Sequence, residues 1–532
     1  MRRRIWVLAL ALVLTWAAGP ARGAEKAAER PAKPKLVLAV VIDQFRYDYL
    51  TRFRADYHAG LARLLNEGAV YTEAHYIHFP TVTAVGHSTF LTGATPSLSG
   101  IVGNEWYDRA LKKQVTSVSD ETTKLVGGAA GASGSSPRRL LVSTFPDELK
   151  MAARGGPQTS RVIGISIKDR AAILPAGHMA DAAYWFDDGT NHFVTSDYYM
   201  SELPAWVKAV NEAGPTSKYR DAAWMPLNAK PDDKPFCTLA TGGAVPSCGS
   251  IEATPFGNEM LEAFAEKAVA NERLGRHEGT DVLALSFSSN DYAGHRYGPD
   301  HPAIRDISIR TDIALGKLLD FIDAQIGKGR TLVVLTADHG VAPEPEVNEA
   351  RRMNGGRIDG KQLPRVVNQA LSERFGEGKW IESDSGGGMY LNYETAARNK
   401  ADLREVRRVA AEALRAVPHI ARVFTHDELM TYGGAADLVG QAVVRGYYAA
   451  RSGDITMVQE PYYLFGGTSG TSHSTPYSYD THVPVIFYGA GVQAGVYRRR
   501  IAPNDIAPTL ASMFNVETPS GAFGEALREV VK

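Results

Sequence analysis

Residues 36–43 read Leu36-Val-Leu-Ala-Val-Val-Ile42-Asp43, seven consecutive apolar residues closed by a carboxylate. A strand with one face in water alternates apolar and polar residues; a strand buried on both faces does not. This run therefore predicts an interior strand of a mostly parallel sheet. Four further runs have the same character: Val162–Ile167, Val282–Phe287, Leu332–Thr336 and Val483–Tyr488. Helical patterns lie between them. In 304–326, Leu315, Leu318, Leu319, Ile322 and Ile326 share one helical face, and 403–416 is a second amphipathic segment. Strands alternating with helices predict an α/β three-layer sandwich around a central, mostly parallel sheet.

In an open α/β sheet, ligands bind beyond the carboxyl ends of the strands. The residues just beyond each apolar run are therefore informative. The first run ends in Asp43, and Val282–Phe287 leads to Asp291-Tyr-Ala-Gly-His295. Leu332–Thr336 ends in Ala-Asp338-His339-Gly, and Val162–Ile167 ends in Lys168-Asp-Arg170. Before the last run stands Gly-Thr-Ser-His473-Ser-Thr-Pro. Singly, each has an ordinary structural explanation, since strand-end aspartates often cap helices. Together, Asp43, Asp291, His295, Asp338, His339 and His473 supply carboxylate oxygen and imidazole nitrogen at one sheet edge, enough for two metal ions, with zinc the best match.

Residues 79–93 read Phe-Pro-Thr-Val-Thr83-Ala-Val-Gly-His-Ser-Thr-Phe-Leu-Thr-Gly. The stretch after Pro80 has the character of a helix start, with Thr83 expected at the N-cap. A helix amino end favours an anion, and a metal ion beside it would make the threonine a nucleophile. Thr81 is a rival in the same segment, and His87 is expected to be structural.

The 532-residue chain carries 58 basic and 59 acidic side chains, a net charge of −1, which argues against a general nucleic-acid binder. Hydrophobic residues at 44% and charged residues at 22% are globular values. Arg2-Arg-Arg4, the apolar stretch Ile5–Ala18 and the small-residue segment after Pro20 have the order of a secretory signal. The organisation expected is a signal over residues 1–24, a flexible leader over 25–35, and one catalytic domain over 36–532 with insertions at about 176–255 and 344–455. A periplasmic or secreted protein with no membrane anchor after cleavage is expected. Export permits a disulfide, and Cys237 and Cys248, which bracket a Gly/Pro-containing loop, are expected to form one local bridge. The Gly/Ser-rich residues 124–137 predict a flexible loop.

The motifs together resemble the threonine-nucleophile branch of the alkaline phosphatase superfamily, which includes PafA-type alkaline phosphatases and nucleotide pyrophosphatase/phosphodiesterases. The matching order is Asp43, Phe-Pro-Thr-x-Thr83-x-x-Gly-His, Gly-Ile-Val-Gly-Asn104, Lys168-x-Arg170, Asp291-x-x-x-His295, Ala-Asp338-His339-Gly and Gly-Thr-Ser-His473. The family's spacing, counted back from Asn104, falls on Thr83 rather than Thr81. The resemblance implies two zinc ions. Asp291, His295 and His473 would hold the first, and Asp43, Asp338 and His339 the second, with Thr83 Oγ as a further ligand. His482 competes with His473, and the residue after the family histidine is often Gly where this chain has Ser474. Asn104, Lys168 and Arg170 would bind the phosphoryl oxygens. The activity implied is hydrolysis of small-molecule phosphate monoesters by a monomeric phosphatase through a phosphothreonine. The alternatives are a phosphodiesterase of the same superfamily and an exported zinc- or phosphate-binding protein without catalysis. A sulfatase is disfavoured, because neither cysteine lies in the Cys/Ser-x-Pro-x-Arg context from which formylglycine is made.

Overall fold

The computed structural model describes residues 33–156, 159–240, 245–385, 387–431 and 437–531. The expected signal and most of the leader lie outside the described residues. Among the described residues the main sheet has eleven strands. In chain order they are β1 (Leu36–Ile42), β2 (Ala69–Ala74), β3 (Ser119–Val126), β4 (Ser133–Ser135), β5 (Val162–Ser166), β6 (Ala182–Asp187), β7 (His192–Ser196), β8 (Asp281–Phe287), β9 (Thr331–Thr336), β10 (Val485–Gly489) and β11 (Gly495–Ile501). Their spatial order is β11-β2-β10-β9-β1-β8-β5-β6-β7-β3-β4. The centre, β9-β1-β8-β5-β6, is parallel.

The seven residues of β1 are all buried, and their side chains divide between two cores. Leu36, Leu38, Val40 and Ile42 pack with α3 (Pro255–Asn271) and α5 (Pro302–Ile326) on one face. Val37, Ala39 and Val41 meet Phe90 and Leu91 of α1 (Thr83–Thr92) and Ile506, Leu510 and Phe514 of α6 (Ile506–Phe514) on the other. Burial on both faces is the reason the run does not alternate. Parallel register brings Ile42 beside Phe287, Val41 beside Thr336, and Ser286 beside Ser166. The carboxyl ends of four strands are therefore level, and the residues immediately beyond them share one edge.

Three sequence expectations need correction. The run at Val483–Tyr488 is strand β10, but it runs antiparallel to both β9 and β2. Residues 124–137 are not wholly loop: they include the end of β3 and all of β4, which pair antiparallel at the sheet margin through backbone groups. Of the segment 176–255, residues 182–196 form β6 and β7 of the main sheet, and the disulfide-bearing part comes after them. Residues 344–455 carry a separate core in which the helices Gln362–Phe375 and Leu403–Arg415 pack on strands of a second, four-stranded sheet. Cys237 and Cys248 are joined as a disulfide.

Candidate active site and metal centre

Each strand end contributes a side chain to one buried cluster. Asp43 follows β1, Asp338 and His339 follow β9, and Asp291 and His295 lie one turn apart on α4 (Ser289–Tyr297) after β8. Lys168 is the N-cap residue of α2 (Asp169–Ala176) after β5. Its Nζ donates to Asp43 Oδ2 at 2.7 Å and Asp291 Oδ2 at 2.6 Å, and lies 3.4 Å from Thr83 Oγ1. Asp291 Oδ1 is 3.2 Å from His295 Nε2 and 3.7 Å from His473 Nε2. His339 Nε2 is 3.6 Å from Asp43 Oδ1 and 3.3 Å from Asp338 Oδ2.

The three histidines are oriented alike. Nδ1 of His295 is 2.8 Å from the Thr471 carbonyl, Nδ1 of His473 is 2.8 Å from the Thr81 carbonyl, and Nδ1 of His339 is 2.9 Å from the Gly340 carbonyl. A carbonyl only accepts, so each Nδ1 carries the proton and each Nε2 presents its lone pair to the cluster, as in histidines that ligate metals. Asp43 Oδ1, Asp338 Oδ2 and His339 Nε2 are buried and have no hydrogen-bond partner. Three unpartnered acceptors in one buried spot are costly unless a cation sits among them. Ligand atoms of Asp291, His295 and His473 converge within 4.8 Å, as do those of Asp43, Asp291 and His339. The donor set is oxygen and nitrogen, with no sulfur, and suits zinc.

The electrostatics show how crowded the cluster is. Burial, then the Asp338 carboxylate, pushes Asp43 well above the usual carboxylate range. Burial also opposes ionisation of Asp291, but Lys168 and His295 outweigh it and hold Asp291 well below its ordinary value. Burial works to neutralise Lys168, and Asp291 and Asp43 overcome it, so its pKa is raised. Burial and the neighbouring His339 and His295 keep His473 well below its ordinary value.

Thr83 is the first residue of α1 and is 2% exposed. The N-cap position expected for it belongs to Val82, whose backbone is extended while that of Thr83 is already helical. The threonine hydroxyl therefore makes no cap bond. Thr81 Oγ1 donates instead to the Thr475 carbonyl at 2.9 Å. Asn104 Oδ1 accepts the Ala84 N–H at 2.8 Å, which ties it to the first turn of α1 and leaves its NH₂ as the donating end. Arg170 lies in the first turn of α2, near enough to act on the charges of Lys168 and Tyr292, and its Nε is buried without a partner. His87 bridges the Thr83 carbonyl at 2.9 Å and Ser286 Oγ at 2.8 Å, a structural role. His482 is not in the cluster: its Nε2 donates to the Thr72 carbonyl at 2.9 Å, and its ring stacks on His75 and Tyr47.

Around the site, the backbone of Ser474 and the contacts of Asp480 and Gln44 were not foreseen from the sequence. Ser474 has φ 94°, a backbone conformation that favours glycine. Buried Asp480 clamps the loop beyond it by accepting the Thr475 N–H at 2.8 Å and the Thr475 hydroxyl at 2.7 Å. Gln44 contacts carboxylates on both sides of the cluster.

Among known proteins, the family described as type I phosphodiesterase / nucleotide pyrophosphatase matches residues 37–483. A protein of Myroides odoratus named calcium-transporting ATPase is 36% identical over 95% of this chain and 96% of its own. Alkaline phosphatase PafA of Elizabethkingia meningoseptica is 35% identical over 96% of each chain. The crystal structure of PafA superposes with a TM-score of 0.87 over 94% of this chain and 99% of that one. The chain belongs to the type I phosphodiesterase / nucleotide pyrophosphatase family of the alkaline phosphatase superfamily, and its similarity is to the PafA type. It is an enzyme, a phosphatase. No described helix is long and apolar enough to cross a membrane.

Proposed function

We propose that this phosphatase is an exported monomer that hydrolyses small-molecule phosphate monoesters at a two-zinc site, through a covalent phosphothreonine on Thr83. The observation that carries the reading is the position of Thr83. Its hydroxyl stands at the amino end of α1, 3.4 Å from Lys168 Nζ, which in turn contacts two of the candidate ligand carboxylates. Asp291, His295 and His473 would hold one ion; Asp43, Asp338, His339 and Thr83 Oγ would hold the other. Bound there, the two ions would stabilise charge on the attacking and leaving oxygens of an in-line displacement.

The chain's own groups do the rest. Thr83 Oγ gives up its proton to solvent and attacks phosphorus, and the ester oxygen leaves with the bonding pair and takes a proton from solvent. Water, losing a proton to solvent, then attacks the phosphothreonine opposite Thr83 Oγ, which leaves with the bonding pair and is reprotonated, so that inorganic phosphate is released and the hydroxyl restored. Lys168, Arg170 and the Asn104 NH₂ bind the nonbridging oxygens, where positioned donors matter most as charge shifts. Each His Nδ1–H held by a carbonyl leaves Nε2 as the ring nitrogen aimed into the cluster.

The family's name gives a second reading, a phosphodiesterase. One set of assays separates the readings: rates on an aryl phosphate monoester, the matching diester and the sulfate ester, with zinc analysis of the same sample. Monoester preference, about two zinc ions per chain and a phosphothreonine that Thr83→Ala abolishes are expected. Parental turnover in Thr83→Ala would end the proposal, and a diester preference would put the second reading first.

A further inference from the structure

Gln44 follows Asp43 where β1 ends, and no step proposed above uses it. It is 2% exposed, and its backbone is left-handed at φ 59°. A non-glycine residue in that conformation is strained, and such strain collects at functional sites where the surroundings enforce it. The surroundings here are specific. The Gln44 N–H donates to Asp338 Oδ1 at 3.0 Å, and the Gln44 side-chain Nε2 donates to Asp291 Oδ1 at 2.6 Å. Those carboxylates follow β9 and β8, the two strands that flank β1. The left-handed turn sends the peptide N–H towards one neighbour and the side chain towards the other. Asp338 Oδ1 also accepts the His339 N–H at 3.0 Å, which leaves Oδ2 as the unpartnered oxygen. On the other side Gly294 makes the space: a Cβ there would stand 1.8 Å from Gln44 Oε1. Glycine at 44 would meet the backbone requirement without strain. A buried glutamine there is explained by what its side chain holds.

We infer that Gln44 is a positioning residue that couples the two ligand sets, its side chain fixing the Asp291 carboxylate and its backbone N–H fixing Asp338. This rests on the two-zinc reading. It has an asymmetric consequence. Any residue at 44 with the same φ retains the N–H for Asp338, but only a side-chain donor of this length reaches Asp291. Loss of the side chain therefore weakens the set Asp291, His295 and His473 and spares the set Asp43, Asp338 and His339.

The test is zinc binding by the full-length protein, titrated against a chromophoric chelator, with Gln44→Gly and the near-isosteric Gln44→Met beside the parent. The parent is expected to show two binding steps. In both variants one step should weaken by about 10- to 100-fold, the usual effect of losing a group that orients a metal ligand, and the other should stay at parental strength. His295→Ala assigns the steps: adding Gln44→Gly to it should leave its remaining step unchanged. Thermal denaturation of the stripped proteins should find both variants cooperatively folded, so that a weakened step reports lost positioning rather than unfolding. Variants that keep both steps at parental strength, or weaken both equally, would overturn the inference alone. A parent that binds no zinc would overturn the two-zinc reading and the inference with it.

Discussion

Gly86 lies one turn into α1, in the Thr83-x-x-Gly-His segment, and packs against the turn that carries Asp338. A Cβ at position 86 would lie 2.2 Å from the Asp338 carbonyl oxygen and 2.6 Å from both Asp338 Cα and Cβ. Ordinary contact begins near 3.4 Å, so the two backbones must separate by roughly an ångström. Neither yields easily. The Asp338 carboxylate is held by the Gln44 and His339 N–H groups, and α1 is buried along its whole length. Gly86→Ala therefore moves Thr83 relative to Asp338 and His339. A displacement of that size at a reacting atom costs about a hundredfold in rate, roughly 2.7 kcal/mol of barrier. Overpacking should lower stability by about 1–3 kcal/mol as well. The assay is kcat on an aryl phosphate, with thermal denaturation and zinc content on the same sample. The expected result is a folded, metal-binding protein with kcat down by about two orders of magnitude. Parental kcat and stability in Gly86→Ala would refute the claim that this contact sets the position of Thr83, the proposed nucleophile.

Removing Lys168 and Arg170 together should cost monoester turnover several orders of magnitude, at about 2–4 kcal/mol per well-placed donor, and diester turnover much less; equal losses would mean that the pair is structural. Replacing Cys237 and Cys248 by serine opens a loop whose ends are 11 residues apart and should lower stability by about 3 kcal/mol; an unchanged urea midpoint would contradict this. His78 is fully buried, neither ring nitrogen has a partner, and burial lowers its pKa to about 3 from an ordinary 6.5. The unfolded chain takes up a proton there below pH 6.5 and the folded chain does not, so stability falls as pH falls from 6.5 towards 3, by up to about 1.4 kcal/mol per pH unit. The stability difference between His78→Leu and the parent should therefore grow in favour of the variant between pH 6.5 and 4.5; a pH-independent difference would show that His78 titrates normally.

The centre of the sheet was legible because burial on both faces erases alternation, and β1, β5, β8 and β9 all carry that mark. The same mark misled at β10. A continuous apolar run records that both faces are covered but not which way the strand runs, and β10 is packed between β9 and β2 with the opposite polarity. The margins were harder still. β4 is Ser-Gly-Ser, with no side chain to announce a strand, and it exists through its backbone pairing with β3. β6 and β7 fall inside the stretch expected to be an insertion, yet Phe186 and Phe193 sit in the main core. Most of the ligand candidates could be read because they follow a strand of the main sheet within a few residues or one short helix; His473, which precedes β10, was read from its motif. Lys168 meets Asp43 and Asp291 across 125 and 123 residues, and Gln44 meets Asp291 across 247. No local pattern encodes such contacts. Ser474 shows the reverse: a departure from the family's usual glycine looked like a weak match, and its φ of 94° shows a position with a glycine's backbone kept in place by neighbouring bonds.

The monoester proposal is also supported by charge. Asp43, Asp291 and Asp338 are buried together with one ammonium, that of Lys168. Ionised, three carboxylates against one ammonium leave two negative charges in excess; burial and the Asp338 carboxylate push Asp43 up, while against burial Lys168 and His295 hold Asp291 down and His339 and His87 hold Asp338 down. The histidines offset little of it: burial keeps His339 and His473 below their ordinary values, and only at His295 does Asp291 outweigh burial and raise the value. Two divalent ions would reverse the balance to two positive charges. Arg170 adds one more, and Thr83 removes it once its proton has gone. A phosphate monoester near neutral pH carries close to two negative charges, so it neutralises the site that the proposed ions create. A diester carries one and leaves a buried positive charge without a partner, which is costly in a place of low dielectric. On the proposed reading, discrimination between the two substrates would originate in the number of carboxylates that the strand ends bring together, and Lys168, which contacts two of them, would be the residue through which ligand charge and substrate charge are balanced.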